Sequence, residues 1–245
     1  GSIRVLAANG IAVGIVSTSG NVSLTATAGS ISDADTLVGG ANDSAVNIMA
    51  TGLRLVAGAG VGTSVNHLET SVGSVSARAG AGGIYVLESD DVSIADVSVT
   101  VNRVKTDGTV TGNLVSDASQ SDLITSNAGN IVLRSTSGNI VLNDGSAGSS
   151  NVAVSAEGAA NILIQTLAAT GDITVNADLQ SATGNVSVLA GHSVSFTATA
   201  DARSQGTGST GSIDIAATTG SLTMASGSVL GSTSGSIRVL AANDI

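Results

Sequence analysis

Apolar residues recur two apart along almost the whole chain, separated by small or polar residues. The recurring unit is a Gly, a small polar residue and an alternating triplet. Examples are Gly20-Asn21-Val22-Ser23-Leu24, Gly129-Asn130-Ile131-Val132-Leu133, Gly138-Asn139-Ile140-Val141-Leu142 and Gly171-Asp172-Ile173-Thr174-Val175. Gly184-Asn185-Val186-Ser187-Val188, Gly211-Ser212-Ile213-Asp214-Ile215 and Gly220-Ser221-Leu222-Thr223-Met224 continue the series. A period of two places alternate side chains on one face of an extended strand. The leading Gly is expected to supply a turn in backbone angles that other residues disfavour. No long 3.6-residue period and no convincing capping box interrupts this pattern, so the expectation is an all-β chain.

Longer spacings predict how the strands are arranged. Ile131, Val152, Ile173 and Val194 follow one another at 21 residues, and Ile3 to Val22 and Val194 to Ile213 are steps of 19. A second strand follows within each interval, as Ile140 follows Ile131 by 9. The spacing predicts a parallel β-helix, or β-solenoid, of about 11 coils of roughly 21 residues. Ile131, Val152 and Ile173 should stack over one another at the ~4.8 Å strand spacing. Asn21, Asn130, Asn139, Asn151, Asn161 and Asn185 recur near the turns, where in-register Asn can hydrogen-bond along the axis. A sandwich or barrel of antiparallel strands is the alternative for short, evenly spaced strands.

A much longer repeat frames the chain. Gly1 to Asn9 returns unchanged as Gly235 to Asn243, and Ile11 matches Ile245, an offset of 234 residues with Gly10 replaced by Asp244. Residues 1–234 are therefore expected to be one tandem-repeat unit, and residues 235–245 the first strand of the next.

Composition narrows the classes. The 245 residues include 32 Gly, no Pro, no Cys, no Trp, one Tyr (Tyr85) and one Phe (Phe196), so Val, Ile, Leu and Ala must fill the core. Without Cys there is no disulfide scaffold, thiol nucleophile or Cys-bound zinc. A net charge of −10 argues against nucleic acid and anionic membrane as partners. No apolar run approaches the ~18 residues of a membrane span, and Gly1-Ser2-Ile3-Arg4 has no signal-peptide pattern.

Three stretches break the regularity: Asp33 to Ser44, Val56 to Val72 and Thr100 to Thr125. The last holds the only Lys, Lys105, and an Asp107-Gly108 pair between apolar alternations, which predicts that Val99 to Leu114 leaves the stack as a hairpin or flap. Loops on a rigid scaffold are where binding usually resides. Asp33, Asp35 and Asp43, and separately Glu88, Asp90, Asp91 and Asp96, are the candidate oxygen ligands for Ca2+. Gly39-Gly40-Ala41-Asn42-Asp43 matches the tandem Gly-Gly-x-Gly-x-Asp calcium motif only in part, and solvated turn Asp is the competing reading. No catalytic, cofactor or metal residue is assigned. Tyr85 and Phe196 are expected to stand alone, adjacent Asp90 and Asp91 to diverge if in a strand, and His67 to be a surface or half-buried residue. His67 and His192 are far apart in sequence, and Gly58-Ala59-Gly60-Val61-Gly62 has the wrong spacing for a dinucleotide loop. Arg4, Arg54, Arg134 and Arg238 each take the outward middle position of a triplet, either as a solvated face paired with acids such as Asp214 or as a binding stripe.

The Gly-Asn-Ile-x-Leu coils resemble the repeats of large bacterial exoproteins of the filamentous haemagglutinin type. Ile31 to Thr36 and Leu53 to Thr63 look like loops of giant tandem-repeat surface proteins of Gram-negative bacteria. The resemblance implies right-handed coils and a secreted, cell-surface stalk or fibre used in adhesion. Its expected partners are neighbouring repeats end to end and a host or neighbouring cell surface or matrix. The expected function is thus structural and adhesive and not enzymatic. The alternatives are a subunit of an extracellular filament or surface layer and a carbohydrate-active β-helix enzyme.

Overall fold

The computed structural model describes residues 1–35, 45–146 and 150–245. Those residues form 26 strands and no helix, and 24 of the strands join one network whose pairings are all parallel. The fold is a parallel β-helix, as the alternating triplets predict. Inward positions form one aliphatic core, with Leu24, Leu55, Ile84, Ile131, Ile164 and Ile213 all buried.

Two ladders run the length of the rod. One passes through Val5, Leu24, Leu55, Ala77, Leu123, Val154, Leu179, Ala202 and Leu230. The other passes through Ile11, Ile31, Val61, Ile84, Ile131, Ile162, Val186, Ile213 and Ile237. Each visits nine rungs, so the expectation of about 11 coils of 21 residues is corrected. The rungs differ in length: Ile31 lies 20 residues after Ile11, whereas Ile131 lies 47 after Ile84. Ile131, Val152 and Ile173 do not stack. Ile131 pairs with Ile162, Val152 begins a strand over Leu123–Thr125, and Ile173 pairs with Ile140 and Val194. The same triplet occupies every side of the coil, so a fixed count of 21 lands on different sides as turn lengths vary. The steps from Ile3 to Val22 and from Ile173 to Val194 are true rungs.

The cross-section is a triangle with one long side, and that side changes place part-way along. In the lower coils the long side holds Ile3–Ala7 and Asn21–Ala26, continued by residues 52–57 and 74–79. Ile11–Val13, Ile31–Asp33 and Gly60–Val61 form one short side, and Val16–Ser17 with residues 48–50 and 68–72 form the other. The strand Gly83–Glu88 then spans both short sides, pairing through Ile84 with Val61 and through Val86–Glu88 with Leu68–Thr70. It founds a new long side of Ile131–Ser135, Ile162–Thr166, Val186–Ala190, Ile213–Ala217 and Ile237–Ala241. The old long side divides: Val92–Ile94 pairs at residues 74–75, and Leu123–Thr125 pairs at 77–79.

The recurring glycines serve a purpose other than the one expected. None of Gly20, Gly129, Gly138, Gly171, Gly184, Gly211 or Gly220 is among the glycines with positive φ. A Cβ on Gly184 would instead lie 2.0 Å from the Ala160 carbonyl oxygen, and one on Gly138 2.1 Å from the Asp90 carbonyl carbon. Corners stack too closely for a side chain. Buried hydroxyls seal them: Ser181 Oγ donates to Ala160 O at 2.6 Å and accepts from Gly184 N at 2.9 Å. The axial Asn ladders form as expected, Asn130 Oδ1 accepting from Asn161 N, Asn161 Oδ1 from Asn185 N and Asn185 Oδ1 from Ser212 N at 2.8–2.9 Å. Asn21 departs from this, donating sideways to Ser98 O.

Candidate functional site

The chemistry concentrates at the rung where the long side changes. Two consequences meet there: a polar residue stands in the core, and the connection between the divided strands projects as a hairpin.

Glu88 ends the founding strand and points inward, in line with Ile48 and Thr70 below and Ser135 and Thr166 above. It is fully buried. Its Oε2 accepts from Thr70 Oγ1 at 2.6 Å, and its Oε1 from Val72 N at 3.1 Å and Ser89 N at 3.0 Å. Burial lifts its pKa from 4.5 to about 8; Asp90 pushes the same way, while Thr70, Val72 and Ser89 pull it back. Glu69 and Glu88 both line a cavity of about 50 Å³ with Val46, Thr70 and Thr136. The sequence spacing presents Glu88 as one of four neighbouring acids. In three dimensions Asp90 and Asp91 lie in the following corner, not in a strand, and Asp91 Oδ1 accepts from Asn139 N at 2.7 Å at the foot of a corner ladder. Asp96 accepts from Ser146 N at 2.8 Å and Ser119 Oγ at 3.3 Å, bonds that hold its carboxyl below the usual range. Asp33 accepts from Asn47 Nδ2 at 2.7 Å and Asp35 N at 2.9 Å, while Asp43 lies outside the described residues. Among the described residues no three carboxylates or imidazoles gather as a metal site.

The hairpin pairs Val97–Asn102 with Leu114–Gln120 antiparallel, with Gly108 at φ 80° and Thr109 N donating to Asp107 Oδ1 at 2.9 Å in its turn. It does not leave the stack entirely. Its base folds back over the lower long side and buries Val97 and Val99. Arg4 pairs with Asp117 at 2.9 Å, Arg54 Nε donates to Ala118 O at 3.2 Å, and Gln120 Nε2 donates to Leu55 O at 3.0 Å. Ser23 and Ser76, outward positions of their strands, are buried beneath it. The tip stands free, exposing Arg103, Val104, Lys105, Asp107 and Val110.

The four outward arginines therefore form no single stripe. Arg4 and Arg54 are clamped under the hairpin. Arg134 donates to Gln165 at 3.0 Å, and Arg238 pairs with Asp214 at 3.0 Å, both on the upper long side. Above the hairpin the bare side holds an open polar groove of about 450 Å³ lined by Ser155, Glu157, Gln180, Arg203 and Gln205. On the upper long side a second groove of about 420 Å³ runs past Tyr85, Asn130, Val132, Asn161 and Leu163.

Of the two aromatics expected to stand alone, Tyr85 does not and Phe196 has no ring partner among the described residues. Tyr85 stacks on His67 with ring centroids 5.9 Å apart, and Phe196 is a core residue between Val175 and Met224. His67 is buried more deeply than expected, and burial pulls its pKa down, with Arg134 adding to the effect. His192 is paired with Asp172 at 2.7 Å on another corner. Of the stretch from Val56 to Val72, residues 56–57, 60–61 and 68–72 are strand, leaving a short connection. Sequence reasoning missed Thr70, Asp117 and Gln120. Asp117 alone carried a signal, an acid in the run Leu114–Gln120, which holds no other charged residue. Searches against family models, curated proteins and solved structures found no match.

Proposed function

We propose that the chain is a structural module of a long, stiff rod, the stalk or fibre of a large secreted bacterial surface protein, with adhesion carried by groups displayed on its sides. One observation carries the reading. The strand Ile237–Ala241, identical in sequence to Ile3–Ala7, docks on Ile213–Ala217 as an ordinary rung, in register from Ile213↔Ile237 to Ala217↔Ala241. A copy of the unit can therefore be continued without breaking the ladder, and coils that stabilise their neighbours make a rod whose length scales with copy number. The hairpin tip and the polar groove are the displayed surfaces, and the acidic balance suits an exposed, soluble setting. The test is a chain of one, two and three copies imaged by electron microscopy. From Ile3 to its copy Ile237 the chain climbs about eight and a half turns, which at ~4.8 Å predicts growth of about 40 Å per copy; flexible beads would overturn the reading.

A second reading is separate subunits joining end to end in a filament, drawing on the same kind of parallel edge that receives Ile237–Ala241 on Ile213–Ala217. Sedimentation of the single unit across concentrations separates the two: a monomer at high concentration favours the covalent array.

A further inference from the structure

The long side of the triangle changes place once within the unit, and the repeat shows where the next unit must begin. Ile3–Ala7 lies on the lower long side, opposite the two short sides. Its copy, Ile237–Ala241, lies on the ladder that descends through Ile131 and Ile84 to Val61, Ile31 and Ile11, above those short sides. A second landmark agrees. Ile245, the copy of Ile11, is placed beside Leu222 by the hydrogen bond from Leu222 N to Asp244 O at 2.9 Å. Leu222–Met224 descends through Val194, Ile173 and Ile140 to Val92–Ile94, which stands on residues 74–75 of the lower long side. The copied long strand therefore sits over the original short sides, and the copied short side over the original long side. From Ile3 to Ile237 the chain makes about eight and a half turns.

Resting on the tandem-array reading, we infer that consecutive units are related by about half a turn around the rod axis, so that successive hairpins face opposite sides. The partner that covers the open C-terminal end is a second copy of this chain, entered in the flipped orientation. The hairpin over Arg4 in one unit has its counterpart over Arg238 in the next, on the far side of the rod. Displayed tips then alternate every ~40 Å and return to the same side every two units, about 80 Å. A rod with groups on two opposed sides can bridge two surfaces, which a rod with one decorated side cannot.

The experiment uses a chain of three copies with a small globular tag inserted after Gly108 in each. Class averages should show a rod with tags on alternating sides; tags along one side overturn the inference while leaving the stalk reading intact. Absence of a rod defeats the stalk reading itself. An independent check uses cysteine pairs in a two-copy chain, which otherwise has no cysteine. Thr223→Cys should cross-link to a cysteine replacing the second copy's Ala12, the next outward position after Ile245. Asp214→Cys should not cross-link to that same position. The reverse pattern overturns the half-turn.

Discussion

Glu88→Gln isolates the polar residue at the junction rung. The substitution keeps the shape and the acceptor for Val72 N and Ser89 N, and its amide can donate to Thr70 Oγ1, whose hydroxyl turns to accept. Only the titration is removed. In the folded chain burial holds the Glu88 proton up to about pH 8, while in the unfolded chain it leaves near 4.5. Below pH 4.5 both states carry it and pH has no effect through this group. Between 4.5 and 8 the folded state binds more protons than the unfolded state, so stability falls as pH rises. Above 8 the loss is complete. At ~1.4 kcal/mol per unit, a shift of about 3.5 units corresponds to a loss on the order of 5 kcal/mol. Urea titrations of both proteins at pH 4.5, 6, 7.5 and 9, followed by far-ultraviolet circular dichroism, read the effect. The two should be of similar stability at pH 4.5, and the Gln variant should become the more stable by several kcal/mol by pH 8. Because every other titrating group is common to both, parallel curves would refute the reasoning, as would a Gln variant that loses ground with rising pH.

Other outcomes follow from the packing. Gly184→Ala places a methyl 2.0 Å from the Ala160 oxygen and should destabilise by about 1–3 kcal/mol or more, with thermal melting as the check; Ala tolerated without loss would remove the crowding explanation. Ile162→Ala empties a buried position between Ile131 and Val186 and should cost about 2–5 kcal/mol in the same assay. Asp117→Ala leaves the largely buried Arg4 unpaired, at about 3 kcal/mol or more. Hydrogen exchange should then quicken across Val97–Gln120 while the Ile131 to Ile213 ladder stays protected. Asn161→Ala deprives Asn185 N of its acceptor and should cost about 1 kcal/mol, read by urea titration.

Much of the fold was legible because the Gly-Asn-Ile-x-Leu signal is repeated with little noise. Strand positions, the inward set and the corner Asn ladders follow from it directly, and Asp107-Gly108 announces the hairpin. The register was not legible. A triplet such as Ile131-Val132-Leu133 carries the same information whether it lies on a long or a short side, and Val152 and Ile173 are spaced like rungs while belonging to other sides. The glycines misled for a related reason: their spacing reveals a corner, but the crowding that selects them comes from the rung below. Glu88 stood out in the sequence only as one of four neighbouring acids; its burial in the core was not legible, because it depends on the place where one strand, Gly83–Glu88, comes to span two sides. Arg4 and Asp117 are 113 positions apart and meet only because the hairpin folds downward.

The register is the point on which the solenoid stands. Arg134 and Gln165 are adjacent outward residues on neighbouring rungs, whereas Ser155, 21 positions after Arg134, lies on another side of the rod. Nitroxide labels at Arg134→Cys and Gln165→Cys should broaden each other strongly in continuous-wave electron paramagnetic resonance, while labels at Arg134→Cys and Ser155→Cys should not. Strong broadening in the second pair and none in the first would contradict the winding described.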